Sequence, residues 1–287
     1  MAAAEGWSDV KGERWNRGLA DAEAMLAPLD APLRDALDLR GPCRIAEIGC
    51  GGGGMALDLA RQCPAGSEVC GYDVSPRLVE TARRRARAEG TAVRFELADA
   101  AEADVPDRAF DRLVSRFGVM FFDSPEVAFA RLARWLRPDG RFAFAVWGPM
   151  PENPWMVCMR EVAAGFVDVP SKAPDASGPF RYADAEALVD LLSRAGFEGV
   201  ESTTWRGALP VGGGLDGSGA ASFALGTFSI GEAVARAGER IREDCEAALA
   251  ARFREHEVDG VVRMDACVHL VTGRGAAPDP SPREGRS

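Results

Sequence analysis

Apolar runs of strand length recur through the first half of the chain, at Cys43–Gly49, Glu68–Asp73, Val93–Ala98, Phe110–Ser115 and Arg141–Trp147. Between them, apolar residues fall at helical spacing over Met55–Gln62, Ser75–Glu89 and from Asp123 to about Arg137. Ser75 and Pro76 suit the N-cap and first turn of the second of these helices. Pro138-Asp-Gly140 is a turn. Strands that alternate with helices at this spacing predict an α/β fold built on a doubly wound, mostly parallel sheet.

The flanks read differently. Over residues 1–40, Leu19, Met25, Leu26, Leu33, Leu37 and Leu39 are spaced like the buried side of one or two short helices, broken near Pro28 and Pro32. After Gly148 the chain is proline-rich, with a short helix at Trp155–Val167. Tyr182–Ala195 is a helix closed by Gly196, and Val200–Leu209 a strand. Residues 211–219 read as glycine-rich and flexible, Ser229–Phe253 as one long helix and Arg263–Thr272 as the last strand. The expected organisation is a helical lid at 1–40, a ligand-binding core at 41–147 and an insert at 148–180. The rest of the core follows at 181–273, with a helical cap insert at about 210–262, and 274–287 is a flexible tail.

Charge narrows the partners. Lys and Arg number 34 against 44 Asp and Glu, a net charge of −10, and such a surface repels phosphate backbones and anionic membranes. The expectation is no nucleic acid as main partner. No apolar run approaches the roughly 20 residues of a membrane span, and the N-terminus shows no secretory pattern, which points to the cytoplasm. Seven cysteines, an odd number without a C-x-x-C, read as free thiols of a reducing compartment. His256 and His269 are the only imidazoles, so a histidine-rich metal site is not expected and no metal is assigned. A homodimer is compatible with the sequence, which does not set the oligomeric state.

The chemistry centres on Glu47-Ile-Gly49-Cys-Gly51-Gly-Gly-Gly54. It has G-x-G-x-x-G spacing between a strand and a helix, where glycines allow a sharp turn and a close approach of backbone to ligand. Asp73 ends the next strand, 19 residues after Gly54, where a carboxylate can accept both hydroxyls of a ribose. Asp99 ends the third strand, on the side where an adenine would lie. Two nucleoside cofactors suit this layout. A nicotinamide dinucleotide would place its pyrophosphate at the helix N-terminus. S-adenosylmethionine, with an ammonium and a sulfonium, favours acids near the loop. Glu47 sits poorly beside a pyrophosphate and favours the second.

Ala46-Glu-Ile-Gly-Cys-Gly-Gly-Gly-Gly54 resembles motif I of the class I S-adenosylmethionine-dependent methyltransferases. Gly71-Tyr-Asp-Val-Ser75, Ala98-Asp-Ala100, Phe110-Asp-Arg-Leu-Val-Ser115 and Leu136-Arg-Pro-Asp-Gly-Arg-Phe142 are similar to the segments that follow it in that superfamily, in the same order. Gly12-Glu-Arg-Trp15, Ser115-Arg-Phe-Gly-Val-Met-Phe-Phe122 and Glu152-Asn-Pro-Trp155 resemble segments of the small-molecule enzymes of ubiquinone and menaquinone biosynthesis type. The resemblance implies a Rossmann-like sheet of seven strands, with N-terminal helices and a helical cap. It implies Glu47, Gly49 and Gly51 near the methionine portion, Asp73 on the ribose and Val74 against the adenine. Asp99 and the Ala100 amide would take the adenine edge, and Ser115 and Arg116 would lie beside the transferring methyl.

Methyl transfer needs alignment and exclusion of water more than a strong base. Phe117, Phe121 and Phe122 after the fourth strand, and Trp147 and Trp155 after the fifth, are expected at the ligand-binding edge, lining a pocket for a small, partly apolar acceptor. The alternative for any one of them is core packing. Trp7 and Trp15 either close over the cofactor or pack on the sheet. His256 is a candidate general base, against the favoured reading as a solvated helix-end histidine beside Glu255 and Glu257. His269 reads as buried and structural. The expected function is methyl transfer to a small molecule at O, N or C; a quinone or lipid-precursor C-methyltransferase is the alternative. From other classes, an inactive cofactor-binding partner subunit and a nicotinamide-dependent oxidoreductase remain open.

Overall fold

The structure, a computed structural model, describes residues 7, 10–169 and 176–277; the end of the expected tail, 278–287, lies outside them. Three helices come first: α1 (Val10–Arg17), α2 (Leu19–Leu26) and α3 (Asp30–Ala36). Five strands follow: β1 (Arg44–Ile48), β2 (Glu68–Asp73), β3 (Arg94–Leu97), β4 (Phe110–Arg116) and β5 (Leu136–Trp147). Between them run α4 (Gly54–Gln62), α5 (Pro76–Glu89) and α6 (Pro125–Trp135). The second half holds α7 (Pro154–Ala164), α8 (Ala185–Arg194), β6 (Phe197–Pro210), α9 (Gly217–Thr227), α10 (Ile230–Arg236), α11 (Glu239–Arg254), the two-residue β7 (Glu257–Val258) and β8 (Val261–Gly275).

The sheet order is β3-β2-β1-β4-β5-β8-β6, with β7 paired to β8 off this path. β3 to β5 are parallel, and β8 runs antiparallel between β5 and β6. This is the doubly wound, mostly parallel sheet that the alternation predicts. Strand order reverses between β1 and β4, so the loops after these two strands flank the crevice where such sheets bind ligands. The central strands are buried on both faces, as helix-covered parallel strands must be; Ile45, Ala46, Leu113, Phe142, Phe144 and Val146 are all inaccessible.

Three local expectations are corrected. Pro138-Asp-Gly140 does not interrupt β5. It is absorbed as a register shift between Pro138 and Arg141 in the pairing with β8, with Asp139 at φ 62°. The helix expected over Ser229–Phe253 is two helices, parted at Gly238, whose φ of 108° no continuous helix can contain. The glycine-rich stretch gives way at Gly217 to α9, whose Asp216 side chain caps it by accepting from the Gly219 amide at 2.8 Å.

Candidate functional site

The loop after β1 carries four consecutive glycines, but they face different surroundings. A side chain on Gly52 would strike Leu19 of α2, and one on Gly53 would strike the Phe95 ring at 2.6 Å. A Cβ on Gly49 would meet the Gly118 Cα at 2.6 Å, because the loops after β1 and β4 touch backbone to backbone. Gly51 alone of these, at φ 53°, faces open space with nothing within 4 Å of a would-be Cβ. The loop is thus packed on three sides and open at one residue.

Carboxylates stand at the ends of the neighbouring strands, and one of them holds the open residue. Asp73 accepts from the Gly51 amide through Oδ2 and from the Ser75 amide through Oδ1, each at 2.8 Å. Burial pushes its carboxyl up, and the amides of Ser75, Gly51 and Val74 oppose that. A carboxylate offers about four lone-pair sites, so two remain for a pair of hydroxyls. Glu47, 2% exposed, leaves Oε2 without a partner. Burial raises its carboxyl to about 8, against the lowering influence of Arg116 and with the Asp30 and Glu23 carboxylates adding to the rise. A buried carboxylate with one oxygen left without a partner is a ready acceptor for a cationic group. Asp99 is half-buried and its Oδ1 takes the Ala101 amide at 2.8 Å; Ala100 is buried beside it and Val74 half-buried.

Ser115 and Arg116, expected beside a transferring methyl, are both held by protein partners. Ser115 Oγ donates to the Ile48 carbonyl at 2.7 Å and accepts from the Gly118 and Val119 amides at 3.1 and 3.3 Å. Its hydroxyl is used up joining the two loops. Arg116 turns to α3 and pairs with Asp30 at 2.5 Å. His256 is exposed beyond α11, next to β7, which pairs with Val261 and Val262. Trp147 pairs with Val268, six residues further along β8, or about 20 Å of strand. The structure does not bring His256 to the others. His269 is buried, with Nε2 3.0 Å from the Ala183 carbonyl and Nδ1 3.4 Å from Thr204 Oγ1.

Aromatic rings gather where the β4 and β5 loops leave the sheet. Phe117 stacks on Trp147 at 4.1 Å with ring planes 11° apart. Trp147 meets Trp155 at 5.3 Å, and Trp155 meets Phe228 at 5.3 Å. Phe228 touches Trp15 at 5.8 Å, Trp15 touches Trp7 at 6.0 Å, and Trp7 returns to Phe121 at 5.3 Å. Phe117 holds φ 66°, a left-handed conformation uncommon for a bulky residue, which its Trp147 stack and its amide bond to the Ala145 carbonyl at 3.0 Å sustain. Phe122 does not join this chain; it packs edge-on against Phe129 of α6. Phe228 had no distinguishing mark in the sequence. Asn153, within the Glu152-Asn-Pro-Trp155 segment, locks the β5 exit by donating to the Pro149 carbonyl at 3.0 Å and accepting from the Cys267 amide at 3.1 Å.

α1 reaches from α5 to the segment that follows α9. Glu13 pairs with Arg77 and Asn16 accepts from Thr81, both residues of α5, while Trp15 meets Phe228. Arg85, in a basic run that reads from sequence as a solvated face, instead grips Glu23 of α2 through both nitrogens and the Gly52 carbonyl at 2.8 Å. No helix among the described residues is long and apolar enough to cross a membrane, and no cluster of metal-ligating side chains occurs among them.

Comparison with known proteins agrees with this geometry. Residues 45–140 match a family described as a methyltransferase domain. A demethylmenaquinone methyltransferase of Thermus thermophilus is 38% identical over 130 residues, which span 44% of this chain and 59% of the relative. The nocamycin O-methyltransferase of Saccharothrix syringae is 29% identical over 195 residues, 63% of this chain and 69% of that one. A Haemonchus contortus phosphoethanolamine N-methyltransferase, solved with phosphomonomethylethanolamine and S-adenosylhomocysteine, superposes with a TM-score of 0.57 at 15% identity, over 91% of this chain and 58% of that one, a likeness of fold. Residues 45–140 are thus matched to the methyltransferase-domain family, and the chain spans about three fifths of the length of the Thermus relative.

Proposed function

We propose that the whole chain transfers a methyl group from S-adenosylmethionine to a small, partly apolar acceptor at O, N or C. The observation that carries this reading is the opening at Gly51, tied to Asp73, together with the buried Glu47 at the end of β1, whose Oε2 has no partner. These residues fit the cofactor: a space that a Cβ would fill, a buried acid for an ammonium and a carboxylate with two acceptor sites left for ribose hydroxyls. Glu47 would hold the amino group, Gly49 and Gly51 would give the methionine portion room, and Asp73 would hold the ribose. Val74, Asp99 and the Ala100 amide would face the adenine. When bound, the cofactor supplies an electrophilic methyl on a positively charged sulfur.

The chain's own contribution is placement. Ser115 fixes the β1 and β4 loops to each other and so sets the depth of the crevice. Phe117, Phe121 and Trp147 would hold the acceptor's apolar body and exclude water, with the fully buried Trp155 packed behind Trp147. No general base is assigned, because the sequence candidate His256 is remote and exposed; a phenol-like oxygen or an amine needs little proton abstraction. The reading is tested by calorimetry with S-adenosylhomocysteine and NADH. It expects binding of the first only, and binding of NADH alone would replace it with the oxidoreductase reading.

A further inference from the structure

We propose that Arg14 recognises a carboxylate carried by the acceptor, so that the substrate class is a planar or aromatic acid; this rests on the small-acceptor reading above. Arg14 is 8% exposed. Its Nη2 pairs with Glu232 of α10, but Nε and Nη1 are buried with no partner. A guanidinium carries five N–H donors and cannot shed its proton. Three of the five, on Nε and Nη1, are therefore unsatisfied, which is costly to maintain in a folded chain.

The missing partner has a sign and a place. Glu232 is shared with a second cation, Arg236, at 3.8 Å, so two arginines sit on one carboxylate and the group is left at +1 inside a chain of net charge −10. On the α1 wheel, Gly12, Glu13 and Asn16 face α5, on the glycine-loop side. Arg14 lies on the other side of the helix with Gly18, which abuts Phe223 and Thr227 of α9. The next residue, Trp15, touches Phe228, four residues before Glu232. The guanidinium thus belongs to the cap side of the aromatic chain, apart from the carboxylates around Gly51. The same chain contains a second orphan, the Trp155 indole Nε1, 1% exposed. The Arg14 orphans are donors, so what completes them is an oxygen acceptor, and beside the surplus positive charge an anionic one.

The test compares 2-naphthoate with its neutral amide, 2-naphthamide, by tryptophan fluorescence and calorimetry, on the protein alone and saturated with S-adenosylhomocysteine. The acid is expected to bind at least ten-fold tighter than the amide. Arg14→Gln should bring the acid to the amide's level and leave the amide and S-adenosylhomocysteine unchanged. Glu232→Gln, which frees the remaining donor edge, should tighten the acid several-fold, an effect in the opposite direction from a structural loss and readable if Arg14→Gln does not fold. Equal affinity of acid and amide, or tighter binding in neither variant comparison, overturns the proposal. So does a loss of S-adenosylhomocysteine affinity in Arg14→Gln with methylthioadenosine unaffected, since the carboxylate recognised would then be the cofactor's. Failure of the wild type to bind S-adenosylhomocysteine, with the acid preference intact, would count against the methyltransferase reading and not against this site.

Discussion

The Gly51 amide donates to Asp73 Oδ2 at 2.8 Å, which ties the open point of the glycine loop to the end of the neighbouring strand. One carboxylate therefore shapes the loop and faces the ligand. Replacing Asp73 by Ala should weaken S-adenosylhomocysteine binding by about 30- to 150-fold, or about 2–3 kcal/mol for two ribose hydrogen bonds. Because the Ser75 and Gly51 amides lose their acceptor as well, the melting temperature should fall too. Calorimetry and a thermal melt on the same variant separate the two effects; unchanged affinity would remove Asp73 from the site.

Gly51 and Gly52 should respond differently to a side chain. At Gly51 a Cβ would have no protein atom within 4 Å, so Gly51→Val should fold with a loss of about 1–2 kcal/mol from the left-handed backbone, yet bind no cofactor. Gly52→Val would collide with Leu19 and should lower stability and binding together. Denaturant titration beside calorimetry checks the contrast, and normal binding by Gly51→Val would show that the loop does not approach the ligand.

Glu47 makes cofactor affinity depend on pH. Its carboxyl titrates at about 8 in the unliganded protein because of burial, so at pH 6.5 it is mostly protonated. An ammonium beside it favours the charged form, and binding then releases a proton. Affinity should rise as pH increases from about 6.5 to 8 and level off above, and Glu47→Gln should flatten the profile. Calorimetry in buffers of different ionisation enthalpy measures the proton released.

Acceptor-side residues should leave the cofactor alone. Trp147→Ala removes the partner of Phe117 and should raise the acceptor's KM about ten-fold or more with S-adenosylhomocysteine affinity nearly unchanged. His256→Ala should alter neither kcat nor its pH profile, given its exposed position beyond α11. A large pH-dependent loss in His256→Ala would mean that the cap folds inward during turnover.

Ser115→Ala tests a joint and not a catalyst. Losing the hydroxyl strands the Gly118 and Val119 amides and the Ile48 carbonyl, at a cost of about 1–3 kcal/mol for the buried unpaired groups. Stability should fall by that order. Ser115→Thr, which keeps the hydroxyl, should recover part of it, as read by chemical denaturation.

The sequence by itself determined the features governed by short-range physics. Strand and helix alternate because apolar residues recur at periods of 2 or run continuously, and then at 3.6. The glycine loop, Asp73 and the Ser75-Pro76 helix start follow from backbone conformations that few residues adopt. Tertiary structure decided what depends on residues distant in the chain. Ser115 looked like a group at the reaction centre, and only the approach of Gly49 to Gly118 made it a joint. α9 exposes a narrow stripe of small residues, Ser218, Ser222 and Gly226, and its start at 217–219 lies within the stretch that reads as flexible because glycine leaves no apolar mark. Phe228 and Arg14 acquired their surroundings when α1 settled between α5 and the cap. A contact across more than 200 residues leaves no local pattern at either end, since only the packed chain brings the two sides together.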